Sequence, residues 1–310
     1  MNLMDHLQEN LYMSVADILK FAATSPYRYK FYRIKKRRSN ETRLIAHPSV
    51  ELKFIQRLVS KYISSKLDIH ECAYAYRKGL GIKENALLHV QSKYLLKMDF
   101  KDFFPSIGPE LMFKQFDFAG IHLSDQDGYL LGRLLFCRYQ REAPLKLSIG
   151  APSSPFISNF VMKAFDEALA RHCIELGVNY SRYADDITLS TSIKGVLFEL
   201  PEFISSLLME TTFGEIVVNP DKTVFSSKAH NRHVTGVTLT NDDRLSLGRK
   251  NKRIIYAKLH HLFVKKTFNV DDINKLIGHI SHAIYIEPDF YNQICKKYGQ
   301  EKVDSLIKKT

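Results

Sequence analysis

Residues 180–190 read Tyr180-Ser181-Arg182-Tyr183-Ala184-Asp185-Asp186-Ile187-Thr188-Leu189-Ser190, and their reading decides the fold. Strand-forming residues flank Ala184-Asp185-Asp186, and Ile187 and Leu189 alternate with Thr188 and Ser190. The segment therefore reads as a β-hairpin with two carboxylates at its tip. Like charges ~4 Å apart repel by roughly 4 kcal/mol at an effective dielectric near ~20, so the pair calls for a cation. Mg²⁺ takes oxygen ligands and few protein carboxylates, leaving its other positions to water and phosphate oxygens. Tyr94 to Phe100 reads as a buried strand that carries a third carboxylate, Asp99, at its end, ahead of the turn-prone Asp102-Phe103-Phe104-Pro105. Carboxylates on two strand ends suit a two-metal site, which activates an attacking oxygen and stabilises a leaving one in phosphoryl transfer.

Upstream, Ser14 with Asp17 three positions on is a capping-box pattern ahead of Ile18 and Leu19, so the first thirty residues read as helical until Ser25-Pro26. Tyr29 to Ile45 mixes β-formers with cations, and Arg38-Ser39-Asn40 falls where a turn belongs, which predicts a basic hairpin. From Glu51 to Lys66, Leu52, Ile55, Leu58, Val59, Tyr62 and Ile63 follow the helical period. Ser153 and Ser154 before Pro155 open a helix with Ile157, Val161, Phe165, Ala168 and Leu169 inward, entered through the tight Gly150-Ala151-Pro152. Pro201 starts another helix, and Ile216–Val218 and Val234–Leu239 read as short strands. The helical period returns from Arg249 through Ile254, Ile255, Leu259, Leu262 and Phe263.

The chain has 310 residues, 45% of them apolar and 25% charged, which is ordinary for folded globular subdomains and excludes wholesale disorder. No apolar run approaches the ~18 residues of a membrane span and no leader pattern is present, so the expected location is the cytoplasm. Cys72, Cys137, Cys173 and Cys295 are scattered without a CxxC pair, which argues for reduced structural thiols. The 45 Lys/Arg against 33 Asp/Glu leave a net charge of +12, which points to a polyanionic partner. Residues 27–57 hold ten Lys/Arg and two Glu, and residues 244–310 fourteen Lys/Arg and six acids, so two lobes of +8 flank a remainder of −4. Arg249, Lys250, Lys252 and Arg253 head a stretch from Arg244 to Lys266 that has eight cations and no acid. With Tyr256, His260 and His261 interleaved, it reads as an RNA-gripping helix. His279 and His282 lack a third metal ligand at sensible spacing and read as surface or packing residues.

Asp99-Phe100-Lys101-Asp102-Phe103-Phe104, Gly150-Ala151-Pro152-Ser153-Ser154-Pro155, Tyr183-Ala184-Asp185-Asp186 and Asn219-Pro220-Asp221-Lys222-Thr223 occur in the order and rough spacing of the palm motifs of reverse transcriptases. The chain resembles that superfamily over nearly its whole length. Asn85-Ala86-Leu87-Leu88-His89 and Val234-Thr235-Gly236 are similar to the Asn-Ala-x-x-His and Val-Thr-Gly signatures of bacterial retron reverse transcriptases. The resemblance implies an α+β right-hand polymerase: fingers over residues 1–93, a palm of antiparallel strands backed by helices over 94–240 with a fingers insertion at about 108–147, and a helical, RNA-binding thumb over 241–310.

The same resemblance implies roles for individual residues. Asp99, Asp185 and Asp186 would hold two Mg²⁺ ions, Asp186 as the weaker ligand. Arg43 would grip the triphosphate of a dNTP substrate, with Lys35 and Lys36 nearby, and Lys222 would stand by the leaving pyrophosphate. Phe104 would lie under the sugar and exclude a 2′-hydroxyl. Gly150 and Ala151 would line the nucleotide site, and Asn85, His89, Val234, Thr235 and Gly236 would bear on RNA. Ser148-Ile149 departs from the Pro-Gln of many relatives, so a side-chain amide expected near the nucleotide or template is missing. As to activity, the resemblance implies a dedicated structured non-coding RNA as template and primer, with priming from an internal 2′-hydroxyl. The product would be msDNA, a branched, RNA-linked single-stranded DNA. It also implies a host ribonuclease H to remove copied RNA, for which the chain leaves no room, and a separately encoded effector protein in an antiphage unit. A binding scaffold that keeps the polymerase fold to hold nucleic acid is the alternative from another class, and another class of bacterial reverse transcriptase is a weaker one.

Overall fold

The computed structural model describes residues 2–35, 41–265 and 272–308. Its first segment holds two helices, α1 (Leu3–Leu11) and α2 (Val15–Thr24), broken where Tyr12 takes a left-handed backbone with φ 53°. Ser14 accepts the Asp17 N–H at 3.2 Å and donates its hydroxyl to the Asp17 carboxylate at 2.6 Å, the reciprocal cap its spacing predicts. The basic hairpin follows as β1 (Tyr29–Lys35) and β2 (Thr42–Pro48), in register from Tyr29 opposite Pro48 to Lys35 opposite Thr42. Its expected turn at Arg38-Ser39-Asn40, with Lys36, lies outside the described residues. α3 (Val50–Ser64) buries Leu52, Ile55, Val59 and Ile63 and, unforeseen by periodicity, Gln56. The Gln56 amide donates to Tyr29 Oη at 2.8 Å and the Leu134 carbonyl at 2.9 Å.

Next come α4 (Ile82–His89), β3 (Tyr94–Asp99), α5 (Phe103–Ser106), α6 (Pro109–Phe118), α7 (Asp125–Leu135), the short pair β4 (Cys137–Arg138) and β5 (Leu145–Lys146), α8 (Ser154–Val161) and α9 (Lys163–Glu175). The helix expected from Ser154 to Leu169 is thus two helices, broken at Met162, where ψ rises to 0°. Both halves still bury the apolar positions read from the sequence, except the half-buried Ala168. The aspartate hairpin is β6 (Asn179–Tyr183) and β7 (Asp186–Thr191), followed by α10 (Leu200–Thr212) and β8 (Val224–Ser227). These strands form one antiparallel sheet in the order β6-β7-β3-β8. Ile216–Val218 is not a strand: only Val218 bridges to Phe100.

Val234–Leu239 is a hairpin rather than one strand. β9 (Arg232–Val234) turns into β10 (Val237–Leu239) through Thr235 (φ 47°) and Gly236 (φ 87°), the successive left-handed residues that a two-residue hairpin turn requires. β11 (Leu245–Ser246) pairs with β10. α11 (Arg249–His260) then continues into a π-helical turn at His261–Lys265, followed by α12 (Ile273–Ile286), α13 (Asp289–Tyr298) and α14 (Gln300–Ile307). The main hydrophobic core runs from Leu3 to Ile216, and the C-terminal helices have their own around Leu259, Ile280 and Phe290. A small third cluster, with Ala86, Leu95, Val234, Val237 and Ile286, sits at the joint. All four cysteines are free, and no helix among the described residues is long and apolar enough to cross a membrane.

Two buried polar anchors hold the aspartate hairpin. On one face of the sheet, fully buried Arg182 donates through Nη2 and Nε to the Asp166 carboxylate at 2.6 and 2.9 Å, and through Nη1 to Asn159 Oδ1 at 3.2 Å and the Ala184 carbonyl at 3.0 Å. Tyr180 Oη donates to the same carboxylate at 2.6 Å. On the other face, His89 of α4 lies between two strands, with Nδ1 2.8 Å from Ser190 Oγ and Nε2 2.7 Å from Ser181 Oγ. α4 therefore covers the hairpin face that alternation alone assigns to solvent, and Thr188 and Ser190 are buried.

Stripping one partner from a buried ion pair leaves an uncompensated charge, so Arg182→Ala is expected to lower unfolding stability by about 3–5 kcal/mol. An Asp166→Ala, Arg182→Ala double variant is expected to lose less than the two single losses added together, measured by urea denaturation. Burial pushes His89 down to about 3 from an ordinary 6.5. The unfolded chain binds a proton below the ordinary value that the folded chain refuses, so this residue's contribution is full above that value and falls with pH between the two. Urea midpoints are expected to show a loss of about 1.4 kcal/mol per pH unit across that window, absent from His89→Gln.

Candidate active site

Strand pairing brings the three aspartates together. Asp99 ends β3 opposite Asp186, the first residue of β7. Asp185 precedes it in the turn, after Ala184 has taken a left-handed backbone with φ 57°. The turn is tied down from several sides: the Phe100 N–H donates to the Asp185 carbonyl at 3.0 Å, the Asn219 N–H to the Asp99 carbonyl at 2.7 Å and the Lys101 N–H to the Val217 carbonyl at 2.9 Å. Lys222 Nζ donates to Asp99 Oδ1 at 2.6 Å.

The electrostatics are those of crowded negative charge. Burial, and then the neighbouring Asp185 and Asp99, push Asp186 up to about 6. Burial and Asp99 raise Asp185, while Lys222 and Arg43 pull the other way. Lys222 loses hydration, yet its bond to Asp99 and the surrounding carboxylates hold its pKa above the ordinary lysine value. Among the described residues no three His, Cys, Asp or Glu side chains form a finished metal cage, and Lys222 already engages Asp99. An all-oxygen donor set carrying uncompensated charge fits Mg²⁺, which needs only a few of its ligands from protein.

The nucleotide-site candidates fall around this cluster. Arg43, opposite Ile34 in the hairpin, is close enough for its charge to act on both Asp185 and Tyr76. Lys35 is exposed one register pair beyond it. Phe104 is half-buried on α5, edge-on to Phe103 with centroids 5.5 Å apart. Gly150 has φ 130°, and a Cβ there would stand 3.0 Å from the Ala46 carbonyl. Only glycine lets this segment lie against β2, where Ala46 N–H donates to Ile149 C=O at 3.0 Å. Ser148, the first residue of the Ser148-Ile149 departure, is buried and accepts the Ala151 N–H at 3.0 Å.

Several residues read as RNA contacts have another place. Asn85, His89 and Val234 are fully buried, so their side chains do not meet RNA directly. They seat α4 against the sheet and the β9–β10 hairpin, with Thr235 Oγ1 donating to the Ile82 carbonyl at 3.3 Å; Gly236 at the tip is exposed. Lys252 pairs with Glu287 at 2.5 Å. Burial opposes the Glu287 charge, but Lys252, Ser246 and the Leu247 N–H outweigh it and lower the pKa. Lys252 is therefore a brace inside the C-terminal helices, whereas Arg249, Lys250 and Arg253 are exposed. Tyr256 is not free to stack on a base: it packs edge-on against Phe290 at 5.5 Å. His279 and His282 are exposed on α12.

Sequence reasoning missed Tyr76, which is 54% exposed, has φ 63° and lies close enough to Asp185, Tyr183 and Arg43 to feel their charges. Its signal was the run Tyr74-Ala75-Tyr76-Arg77-Lys78, aromatics interleaved with cations. The run adds to the sheet edge beside the aspartate hairpin, where the Tyr74 N–H donates to the Arg182 carbonyl and the Arg182 N–H to the Cys72 carbonyl, both at 2.8 Å.

Residues 34–239 match the family model described as reverse transcriptase (RNA-dependent DNA polymerase). The chain is 44% identical over 284 residues to Retron Ec83 reverse transcriptase of Escherichia coli, with 90% of each chain covered. It is 36% identical over 272 residues to Retron Ec73 reverse transcriptase of the same organism, with 84% of each covered. Its backbone is similar to telomerase from Candida albicans, solved with a TWJ fragment of telomeric RNA, at TM-score 0.51 and 11% identity over 87% of this chain and 56% of that one; this likeness speaks for the fold alone. Aspartates converging at one end of the central strands of an antiparallel sheet, the family match and the identity to the two Escherichia coli proteins place the chain among the bacterial retron reverse transcriptases, RNA-directed DNA polymerases of right-hand fold.

Proposed function

We propose that this chain copies a dedicated structured non-coding RNA, self-primed from an RNA 2′-hydroxyl, into branched RNA-linked single-stranded DNA (msDNA). In this reading residues 1–93 are fingers, 94–240 palm with a fingers insertion at about 108–147, and 241–310 thumb. A host ribonuclease H trims the template, and a separately encoded effector protein completes an antiphage unit. The observation that carries the reading is the convergence of Asp99, Asp185 and Asp186, with Lys222 bonded to one of them and the charge of Arg43 acting on another.

When bound at Asp99 and Asp185, with Asp186 alongside, two Mg²⁺ ions supply Lewis-acid activation of the attacking hydroxyl and neutralise charge on the phosphates. Arg43, with Lys35 further out on the same hairpin, presents charge and forked donors to the triphosphate of a dNTP. Lys222, more than half exposed while bonded to Asp99, is placed to follow charge as it develops on the leaving pyrophosphate. The stiff backbone of Gly150 and Ala151 against β2 gives the nucleotide a fixed wall, and the Phe104 ring closes the space under the sugar. Exposed Arg249, Lys250 and Arg253 face phosphate on the RNA, an electrostatic and therefore salt-sensitive grip.

An Asp185→Asn, Asp186→Asn double variant, purified with its genomic locus expressed, is expected to retain bound RNA and lose all RNA-linked DNA, read by sequencing the bound nucleic acid before and after RNase. RNA alone in both wild type and variant would instead identify a binding scaffold. Phe104→Ala is expected to raise ribonucleotide incorporation by at least about tenfold relative to dNTPs, the effect of removing a steric block worth ~1.4 kcal/mol. Unchanged sugar selectivity in a primer-extension assay would remove Phe104 from this role.

A further inference from the structure

The face of the sheet that carries α10 differs in charge from the rest of the protein. From Gly195 to Asp221 the chain has five carboxylates, Glu199, Glu202, Glu210, Glu215 and Asp221, and no Lys or Arg, in a molecule of net charge +12. All five are exposed, and Glu215 pairs with Lys146 at 3.2 Å. Between them the surface is apolar. Phe198 is 70% and Met209 64% exposed, and the Phe198 ring lies 5.1 Å from that of Phe225 on β8. Next to these rings a cavity of about 480 Å³ opens between α10 and the sheet, lined by Met98, Pro201, Leu208, Met209, Ile216 and Thr223 among others. β8 is the outermost strand of the sheet, and its four residues Val224–Ser227 carry neither charge nor proline, the usual protections of a free edge.

We propose that this face docks an extended, cationic segment of a protein partner. The segment pairs its backbone with the outer edge of β8, seats an apolar side chain in the cavity, and sets Lys or Arg against Glu199, Glu202 and Glu210. Charge complementarity selects this occupant. Nucleic acid, which the basic hairpin and C-terminal helices suit, meets like charge here. A second copy docked through this same face would bring five carboxylates against five, which costs affinity and association rate alike. An open strand edge beside an apolar pocket is the geometry for strand addition, where main-chain bonds give affinity and the pocket gives selectivity. The face borders the active site only through residues 216–222, and a protein partner there goes beyond the proposed activity.

The test is site-directed photocrosslinking of the full-length chain in the cells that naturally produce it, with benzoylphenylalanine at Met209 or at Phe225 and the attachment site mapped by mass spectrometry. The expected adduct is to one protein segment with Lys or Arg interleaved among apolar residues. Its yield is expected to fall at least about tenfold in a Glu202→Lys, Glu210→Lys variant, which corresponds to ~1.4 kcal/mol of lost binding. Ser205→Trp, which fills the cavity from an exposed position on α10, is expected to reduce the adduct similarly, so the test does not depend on a single variant. Unfolding midpoints matching wild type show that these variants fold. The proposal is overturned by adducts to RNA or DNA, to a second copy of this chain or to a segment without cations. It is equally overturned by yields that survive charge reversal, or by no adduct at either position.

Discussion

Like charge gathered at one end of a sheet is the constraint on which the rest of this structure depends. Asp99, Asp185 and Asp186 can sit together only because strand register forces them to, and register is defended by burial of both faces of the hairpin. A one-residue slip of β3 against β7 would exchange the faces of its side chains, turning Asp99 away from Asp186 and Lys97 toward the face that Leu96 and Met98 fill. The chain meets the repulsion with cations placed in layers. Arg182 lies beneath the turn and bonds the Ala184 carbonyl, Lys222 bonds Asp99 from the side, and Arg43 approaches from the hairpin above. Asp166 cancels the charge that Arg182 carries into the interior, so the anchor adds rigidity without adding a net charge below the site.

The second anchor works without charge. A neutral His89 between two serine hydroxyls ties α4 to both strands of the hairpin, and the Asn85 amide lies 3.5 Å from Thr235 Oγ1 on the β9–β10 turn. One short helix thereby touches the catalytic hairpin and the element that leads into the C-terminal helices. The Asn85–His89 and Val234–Gly236 segments are two sides of one internal contact. Arg232 completes it by donating through its two Nη groups to the Ser92, Val90 and Thr240 carbonyls, a buried cation whose guanidinium end meets backbone oxygen. Tyr285 on α12 reaches back to Glu84 of the same helix α4 at 2.9 Å. Orientation of the C-terminal helices is thus referred to the sheet through α4.

What was legible in the sequence is what local physics decides. Alternation and turn chemistry identified the hairpin and put aspartates at its tip, the helical period found the buried stripe of α3, and the spacing of Ser14 and Asp17 marked a helix start. The reading failed where partners are distant in sequence. Nothing near Arg182 announces that Asp166 waits sixteen residues earlier on a helix, and Lys252 looks like a surface cation until Glu287 folds back onto it. Gln56 looks polar-out until the Leu134 carbonyl arrives. The break at Met162 follows no proline or glycine, and its cause is the packing of α8 and α9 onto different neighbours. The Asn85 and His89 signature reads as bearing on RNA, whereas both side chains are buried where α4 meets the sheet and the β9–β10 turn.

Charge is partitioned by surface as well as by sequence. The cationic hairpin and the exposed face of α11 suit a polyanion, while the segment from Gly195 to Asp221, with α10 in it, carries five carboxylates and no Lys or Arg. The two regions meet in a single stretch, residues 216–222. Ile216 lines the cavity under α10, Val217 accepts the Lys101 N–H, Asn219 donates to the Asp99 carbonyl and Lys222 bonds the Asp99 side chain. A wall seven residues long is therefore shared by an apolar cavity on one side and the Asp99 carboxylate on the other. Any occupant of the cavity would therefore lie against the same stretch of backbone that holds Asp99 through Asn219 and Lys222.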